Sequence, residues 1–313
     1  MTGRLSEILL ADPRGFCGGV TRAIALVKKT LADFGAPVYV RHEIVHNKHV
    51  VEDLRRQGVI FIEDWSEMAD PSRPVIISAH GAPQAVYDEA ESLGLKLVDA
   101  TCPLVAKVHE QYRRLAAQNL QIIVIGKKEH PEITGTIGQC PGHAPAAVIN
   151  TVEEAENLAL QPGTRYGVVT QTTLAVDEVS RIIDVLGAKP GIELATQNKN
   201  DICYATTHRQ AAVKELARQC GGVIVIGSKN SSNSRQLQKT AEKAASGQEF
   251  KAWLADDVSE IDWDSAGQIE RLGVTAGASA PDYLVDELLA EARRRYPNLK
   301  IRYVTVTAET KIP

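Results

Sequence analysis

Six short runs of β-branched and other apolar residues punctuate the chain, at 38–40, 75–78, 122–125, 167–170, 223–226 and 272–275. Most are nearly continuous rather than alternating, as expected for parallel strands buried on both faces. Longer stretches with helical spacing of apolar positions lie between them, for example 105–117, 211–218 and 283–294. Strand and helix in alternation predict an α/β protein with mostly parallel sheets and crossover helices. The last residues, 298–313, read as one more strand with a short tail.

The chain also repeats itself. Cys17, Cys102 and Cys203 each open a helix-like segment, and an aspartate (Asp12, Asp99, Asp201) lies a few residues upstream of each. Twenty-four residues after Cys102 and after Cys203 an apolar run ends in glycine, at Gly126 and Gly227; the same step from Cys17 reaches Arg41, at the end of its own run. Polar loops follow at matching distances: His46-Asn47, His130-Pro131-Glu132 and Ser231-Ser232-Asn233. Farther on, each third has another strand and another polar turn, Ser78-Ala79-His80-Gly81, Thr170-Gln171-Thr172-Thr173 and Thr275-Ala276-Gly277-Ala278-Ser279. Because βαβ units resemble one another for geometric reasons, likeness of strand and helix alone proves little. The matching polar loops favour a true repeat. Open α/β sheets bind ligands at the carboxyl ends of their strands, so three lobes would set three thiols and six polar loops around one cavity. The expected limits are 19–101, 102–199 and 200–290 together with 1–18, leaving 291–313 as a C-terminal strand and tail.

Composition narrows the function. The 313 residues are 44% hydrophobic and 24% charged, the proportions of a folded protein. Lys and Arg number 35 against 39 Asp and Glu, a formal charge of −4, so no basic excess points to nucleic acid. Aromatics at 5% leave little for a base-stacking platform. No apolar run approaches the ~18 residues of a membrane span. The N-terminal apolar stretch is too short for a signal peptide, which predicts a cytoplasmic location. Five cysteines are too few for a disulfide scaffold and read as thiols or metal ligands.

One cysteine per third is a ligand pattern for an iron–sulfur cluster, in which three thiolates would leave one iron of four open to substrate. Zinc with a nearby histidine as fourth ligand is the competing metal, and ordinary core cysteines are the plain alternative. Cys140 and Cys220 fall outside the repeat and read as inert thiols, although a Cys140–His143 metal pair is conceivable. His46, His80, Ser231, Asn233 and Ser279 stand where loops follow strands and offer neutral donors to an anion such as phosphate; serine and asparagine are also common turn and cap residues. Neither a Walker A sequence nor GxGxxG is present. Glu132 is out of place among anion donors. A neighbouring anion would raise its pKa and keep it protonated, able to deliver a proton. His42, His49, His109, His143 and His208 read as structural or solvated.

The sequence closely resembles the 4-hydroxy-3-methylbut-2-enyl diphosphate reductases, the last enzymes of the non-mevalonate isoprenoid pathway. In chain order, the first segments that carry the resemblance are Pro13-Arg14-Gly15-Phe16-Cys17-Gly18-Gly19-Val20, Glu43-Ile44-Val45-His46-Asn47, Ser78-Ala79-His80-Gly81 and Asp99-Ala100-Thr101-Cys102-Pro103. The middle of the chain adds Gly126-Lys127-Lys128-Glu129-His130-Pro131-Glu132 and Thr170-Gln171-Thr172-Thr173. The last are Ile202-Cys203-Tyr204-Ala205-Thr206-Thr207, Ser228-Lys229-Asn230-Ser231-Ser232-Asn233-Ser234 and Thr275-Ala276-Gly277-Ala278-Ser279. Gly18 stands where many members of the family carry alanine.

The resemblance implies a trefoil of three pseudo-symmetric α/β lobes around a central 4Fe-4S cluster held by Cys17, Cys102 and Cys203, with one iron open. It implies diphosphate binding by His46, His80, His130, Ser231, Ser232, Asn233 and Ser279. Thr172 would bond the substrate hydroxyl, and Glu132, with His130 beside it, would organise proton delivery. The implied reaction is reductive dehydroxylation of the allylic diphosphate to isopentenyl and dimethylallyl diphosphate, with ferredoxin or flavodoxin as electron donor. Two alternatives stand beside it: a zinc-dependent diphosphate hydrolase or lyase on the same scaffold, and an iron–sulfur carrier or sensor without catalysis.

Overall fold

In a computed structural model of the chain, the described residues are 4–195, 201–245 and 249–306. In chain order the strands begin with β1 (Glu7–Asp12), β2 (Val38–Arg41), β3 (Val59–Ile62), β4 (Pro74–Ile77) and β5 (Lys96–Asp99). They continue with β6 (Gln121–Ile125), β7 (Ala147–Ile149), β8 (Arg165–Thr170) and β9 (Glu193–Ala195). The last are β10 (Gly222–Ile226), β11 (Lys251–Ala255), β12 (Arg271–Ala276) and β13 (Lys300–Thr305).

Among the described residues these strands form three sheets, ordered β3-β2-β4-β5, β7-β6-β8-β9 and β11-β10-β12-β1-β13. Every pairing in them is parallel. The α/β class with mostly parallel sheets is therefore as expected. The strand order repeats too: a central strand, a neighbour on one side, then a jump to the other side. That jump is a topological switch point, where a crevice opens at the carboxyl ends of the two flanking strands. The flanking pairs are β2/β4, β6/β8 and β10/β12, so the six polar loops read from the sequence leave the six strands at the switch points.

Those strands are apolar at successive positions because each packs on both faces. Ile224 and Ile226 of β10 face a core with Trp263, Leu284 and Leu288, whereas Val223 and Val225 face Leu216 and Leu237. In β6, Ile123 and Ile125 join Val179 and Ile182, while Ile122 and Val124 join Tyr112 and Leu115. Each such side chain stabilises the fold by about 1.5–3 kcal/mol through removal from water.

Two compact units divide the chain. One takes residues 4–20, 46–52 and the described part of 204–306, with the five-stranded sheet; the other takes 21–45 and the described part of 53–203, with both four-stranded sheets. The N-terminal β1 and the C-terminal β13 pair in parallel, Glu7 opposite Lys300, so the final strand belongs to the same sheet as β10–β12. The expected lobe boundary at 199/200 and the tail after 306 lie outside the described residues.

Candidate functional site

Each repeat cysteine is the residue just before a helix: Cys17 before Gly18–Phe34, Cys102 before Pro103–Ala117 and Cys203 before Tyr204–Gln219. Their backbone amides make one bond in common. Cys17 N–H donates to Ala278 O at 3.1 Å, Cys102 N–H to Ala79 O at 3.0 Å, and Cys203 N–H to Thr172 O at 3.1 Å. Each acceptor lies two residues beyond a switch-point strand, β12, β4 or β8 respectively. All three cysteines are half-buried, and none of the five in the chain is in a disulfide. Among the described residues, no three His, Cys, Asp or Glu side chains are grouped as ligands of one metal ion. What fits a thiolate-held cluster is the donor set itself: three soft ligands, in matched backbone settings, each at a helix start.

In the unit with two sheets, His130 caps the helix Pro131–Ile137, its Nδ1 accepting the Glu132 amide at 3.2 Å. Glu132 is 2% exposed, and its Oε1 accepts the Thr172 N–H at 2.6 Å. Burial pushes the carboxyl up to about 7, and the nearby Asp201 charge adds to the rise, against the opposing pull of the Thr172 amide and hydroxyl. The elevation follows mainly from burial, because desolvation disfavours the charged carboxylate. Asp201 holds the same turn: its Oδ2 accepts Thr170 N–H at 2.9 Å while its own amide donates to Thr170 Oγ1 at 3.0 Å. Burial raises Asp201 as well, to about 6. The rings of His80 and His130 meet edge-on at 5.8 Å.

The other unit gathers the neutral donors. Ser231 caps the helix Ser232–Ala244 and accepts the Ser234 N–H at 3.3 Å. Asn233 Oδ1 accepts the Ala278 N–H at 2.8 Å, and its Nδ2 donates to Thr206 Oγ1 at 3.4 Å. Ser279 Oγ donates to the His46 carbonyl at 2.9 Å, and Ser228 Oγ accepts the Lys48 amide at 3.1 Å. His46, Ser231, Asn233 and Ser279 thus each make a polar contact near the carboxyl ends of β10 and β12, beside a 13-residue helix whose N-terminus favours an anion. Gly227 and Gly277 press on Ser234, where a Cβ at either glycine would come within 2.2 Å and 2.1 Å of its Oγ. Glycine at both positions leaves that space to the Ser234 side chain.

Sequence reasoning missed Asp201, Thr206 and Ser228 as parts of these networks. Asp201 had a signal, the aspartate upstream of each cysteine, but the three aspartates do different work. Asp99 Oδ1 binds the Thr101 amide and hydroxyl, and Asp12 accepts a long 3.4 Å bond from Thr305. The remaining histidines have contacts of their own. His109 is buried against Gly81 and Gly135, and burial lowers it to about 4; His49 meets Asp257 at 3.2 Å, and His143 meets the Leu120 carbonyl at 3.0 Å. His42 pairs with Glu63, and His208 packs against Tyr204. Cys140 and Cys220 pack against apolar clusters, and burial raises both thiols, Cys220 to about 12.

The family model described as LytB protein matches residues 8–293. The chain belongs to this family. A protein of Neisseria meningitidis serogroup C, named 4-hydroxy-3-methylbut-2-enyl diphosphate reductase, is 50% identical over 289 residues, covering 92% of this chain and 87% of its own. A Burkholderia mallei protein named 4-hydroxy-3-methylbut-2-enyl diphosphate reductase 2 is 48% identical, with 92% and 86% covered. The solved E-1-hydroxy-2-methyl-but-2-enyl-4-diphosphate reductase of Plasmodium falciparum superposes with a TM-score of 0.90 at 33% identity, over 98% of this chain and 94% of that one. A second solved structure, described as the terminal enzyme of the non-mevalonate pathway, matches at a TM-score of 0.63 and 30% identity, over 93% of this chain and 100% of that one. Among the described residues no helix is long and apolar enough to cross a membrane.

Proposed function

We propose that this chain catalyses reductive dehydroxylation of (E)-4-hydroxy-3-methylbut-2-enyl diphosphate to isopentenyl diphosphate and dimethylallyl diphosphate. The observation that carries the reading is a buried, proton-holding Glu132 bonded to the Thr172 turn, in a LytB chain half identical to a named reductase. The reaction takes two electrons and two protons. The allylic C–O bond breaks, the hydroxyl leaves as water with one proton, and a new C–H bond takes the other.

Cys17, Cys102 and Cys203 would hold a 4Fe-4S cluster. When bound, such a cluster supplies the electrons and Lewis acidity for a poor leaving group. The chain's own residues do the rest. His46, His80, His130, Ser231, Ser232, Asn233 and Ser279 take the diphosphate through side-chain donors and a helix N-terminus. Its binding energy, remote from the broken bond, holds the alcohol end in place. Thr172 accepts or donates at the substrate hydroxyl, and Glu132 passes it a proton. A carboxyl at about 7 holds its proton in about half of the molecules near neutral pH, and is acidic enough to give the proton up. His130, which caps the helix that carries Glu132, keeps that carboxyl in register.

A ferredoxin or flavodoxin is the proposed electron donor. Unlinked thiols suit the reducing cytoplasm as the place of action. The proposed lobes are 19–101, 102–199 and 200–290 with 1–18, followed by a C-terminal strand and tail over 291–313. The matched relatives are named reductases, which favours this chemistry over a zinc-dependent hydrolase or lyase and over a carrier.

The test is iron and acid-labile sulfide per chain on anaerobically purified protein, repeated after addition of the hydroxymethylbutenyl diphosphate. Close to four of each, a spectrum perturbed by substrate and electron-dependent product formation are expected. Zinc without sulfide in protein never exposed to air would overturn the reading.

A further inference from the structure

Arg209 is 0% exposed and the largest of the fully buried side chains among the described residues. It stands on the helix Tyr204–Gln219, six residues after Cys203, and its guanidinium closes over the loop that ends in Cys17. Nε and Nη2 both donate to Gly15 O, at 3.1 and 2.9 Å; Nη2 also reaches Phe16 O at 3.3 Å, and Nη1 donates to Ala205 O at 3.0 Å. The other side of the loop is tied to the end of β12 through Gly15 N–H to Ala276 O, 3.2 Å, and Cys17 N–H to Ala278 O, 3.1 Å. Gly15 itself has φ +63°, and a Cβ there would come within 2.5 Å of Asp282 Oδ1. The residues before Cys17 are thus held from both sides.

The same device recurs in the other unit. Arg22, five residues after Cys17, donates from Nη1 to Thr101 O at 3.1 Å, the carbonyl just before Cys102. In each case an arginine on the helix that follows one repeat cysteine caps a carbonyl one or two residues before another. A guanidinium is always charged and costly to bury, so a carbonyl-capping arginine is a demanding choice where a neutral donor would satisfy the same oxygen. Its planar fork fixes a loop carbonyl in two directions at once, which a single ammonium does not.

We propose that Arg209 and Arg22 are positioning residues for the thiol ligands, Arg209 fixing Cys17 and Arg22 fixing Cys102. This rests on the assignment of those cysteines to the cluster. Arg209 should dominate, because Arg22 is exposed and its single bond competes with water.

The test uses the full-length chain carrying R209Q, R209K or R22Q. In anaerobic holoprotein, loss of iron to a chelator is followed over time. In the same chains stripped of metal, alkylation of each cysteine is timed by mass spectrometry, with Cys102, Cys140 and Cys220 as internal references for Cys17. R209Q is expected to speed Cys17 alkylation about tenfold relative to Cys102, the worth of one charge-assisted bond. R209K should do so less, R22Q should shift the ratio the other way by about twofold, and both Arg209 variants should lose iron faster. If R209Q does not fold, the Cys17 to Cys102 ratio in R209K decides. An unchanged ratio in the Arg209 variants, or equal acceleration at all five cysteines, would overturn the proposal. A wild-type chain that takes up no iron and sulfide refutes the proposed function instead, and the alkylation ratios still judge the tethers.

Discussion

Glu132 Oε1 accepts the Thr172 amide at 2.6 Å, and the carbonyl of the same threonine accepts the Cys203 amide at 3.1 Å. The third repeat has the same clamp with a different side chain: Asn233 Oδ1 accepts the Ala278 amide at 2.8 Å, and Ala278 O accepts the Cys17 amide. Glu132 and Asn233 are each the second residue of their helices, Pro131–Ile137 and Ser232–Ala244. One oxygen acceptor serves the backbone in both places. Only the glutamate adds a proton that can be moved.

Replacing Glu132 by glutamine keeps that acceptor and removes the ionisable proton. The variant is expected to fold, take up iron and bind the diphosphate normally, and to lose turnover by about a hundredfold or more. Steady-state assays with a reduced viologen donor decide it; turnover near wild type removes Glu132 from proton delivery.

The same carboxyl leaves a mark on stability. Its folded value of about 7 lies above the ordinary 4.5, so the folded chain holds the proton more tightly than the unfolded one. This contribution is fully present below about pH 4.5 and is lost as pH rises through about 7. The full span is roughly 3 kcal/mol. Urea unfolding of metal-free protein at pH 5 and pH 8 should show wild type losing more stability with rising pH than Glu132→Gln, by an amount of that order. Equal losses would mean that Glu132 ionises in the fold as freely as in the unfolded chain.

Asn233 separates backbone support from anion binding. Asn233→Ala leaves the Ala278 amide without its acceptor, which should cost about 1–3 kcal/mol in stability and weaken diphosphate binding. Asn233→Asp restores the acceptor and should recover most of the stability, but its charge opposes the anion, so affinity should fall further. Calorimetric titration with the diphosphate beside thermal melting reads both. Tighter binding by the aspartate variant would place the anion elsewhere.

Two cysteine variants test the ligand assignment. Cys102→Ser should lose or destabilise the iron–sulfur content, whereas Cys220→Ser, at a thiol buried in an apolar cluster, should retain it. Iron and sulfide analysis after anaerobic purification compares them, and an intact cluster in Cys102→Ser would strike that residue from the ligand set.

Read alone, the sequence determined the two strands at the switch point of every sheet, since a strand buried on both faces needs apolar residues at successive positions; it missed β1, an equally buried interior strand of the five-stranded sheet. It also determined the repeat of cysteine, helix, strand and polar loop, because those spacings are local. Edge strands such as β9, three residues long and partly exposed, left no such pattern. Tertiary structure alone decided which polar residues act together. Arg209 is one more cation in a helix until its guanidinium meets Gly15, 194 positions away, and Ser279 is a turn serine until it ties down His46, 233 positions away. The elevated pKa of Glu132 belongs to the same level. A glutamate near a helix start is ordinarily an exposed carboxylate; only packing that strips away its water makes it a carboxylic acid near neutral pH.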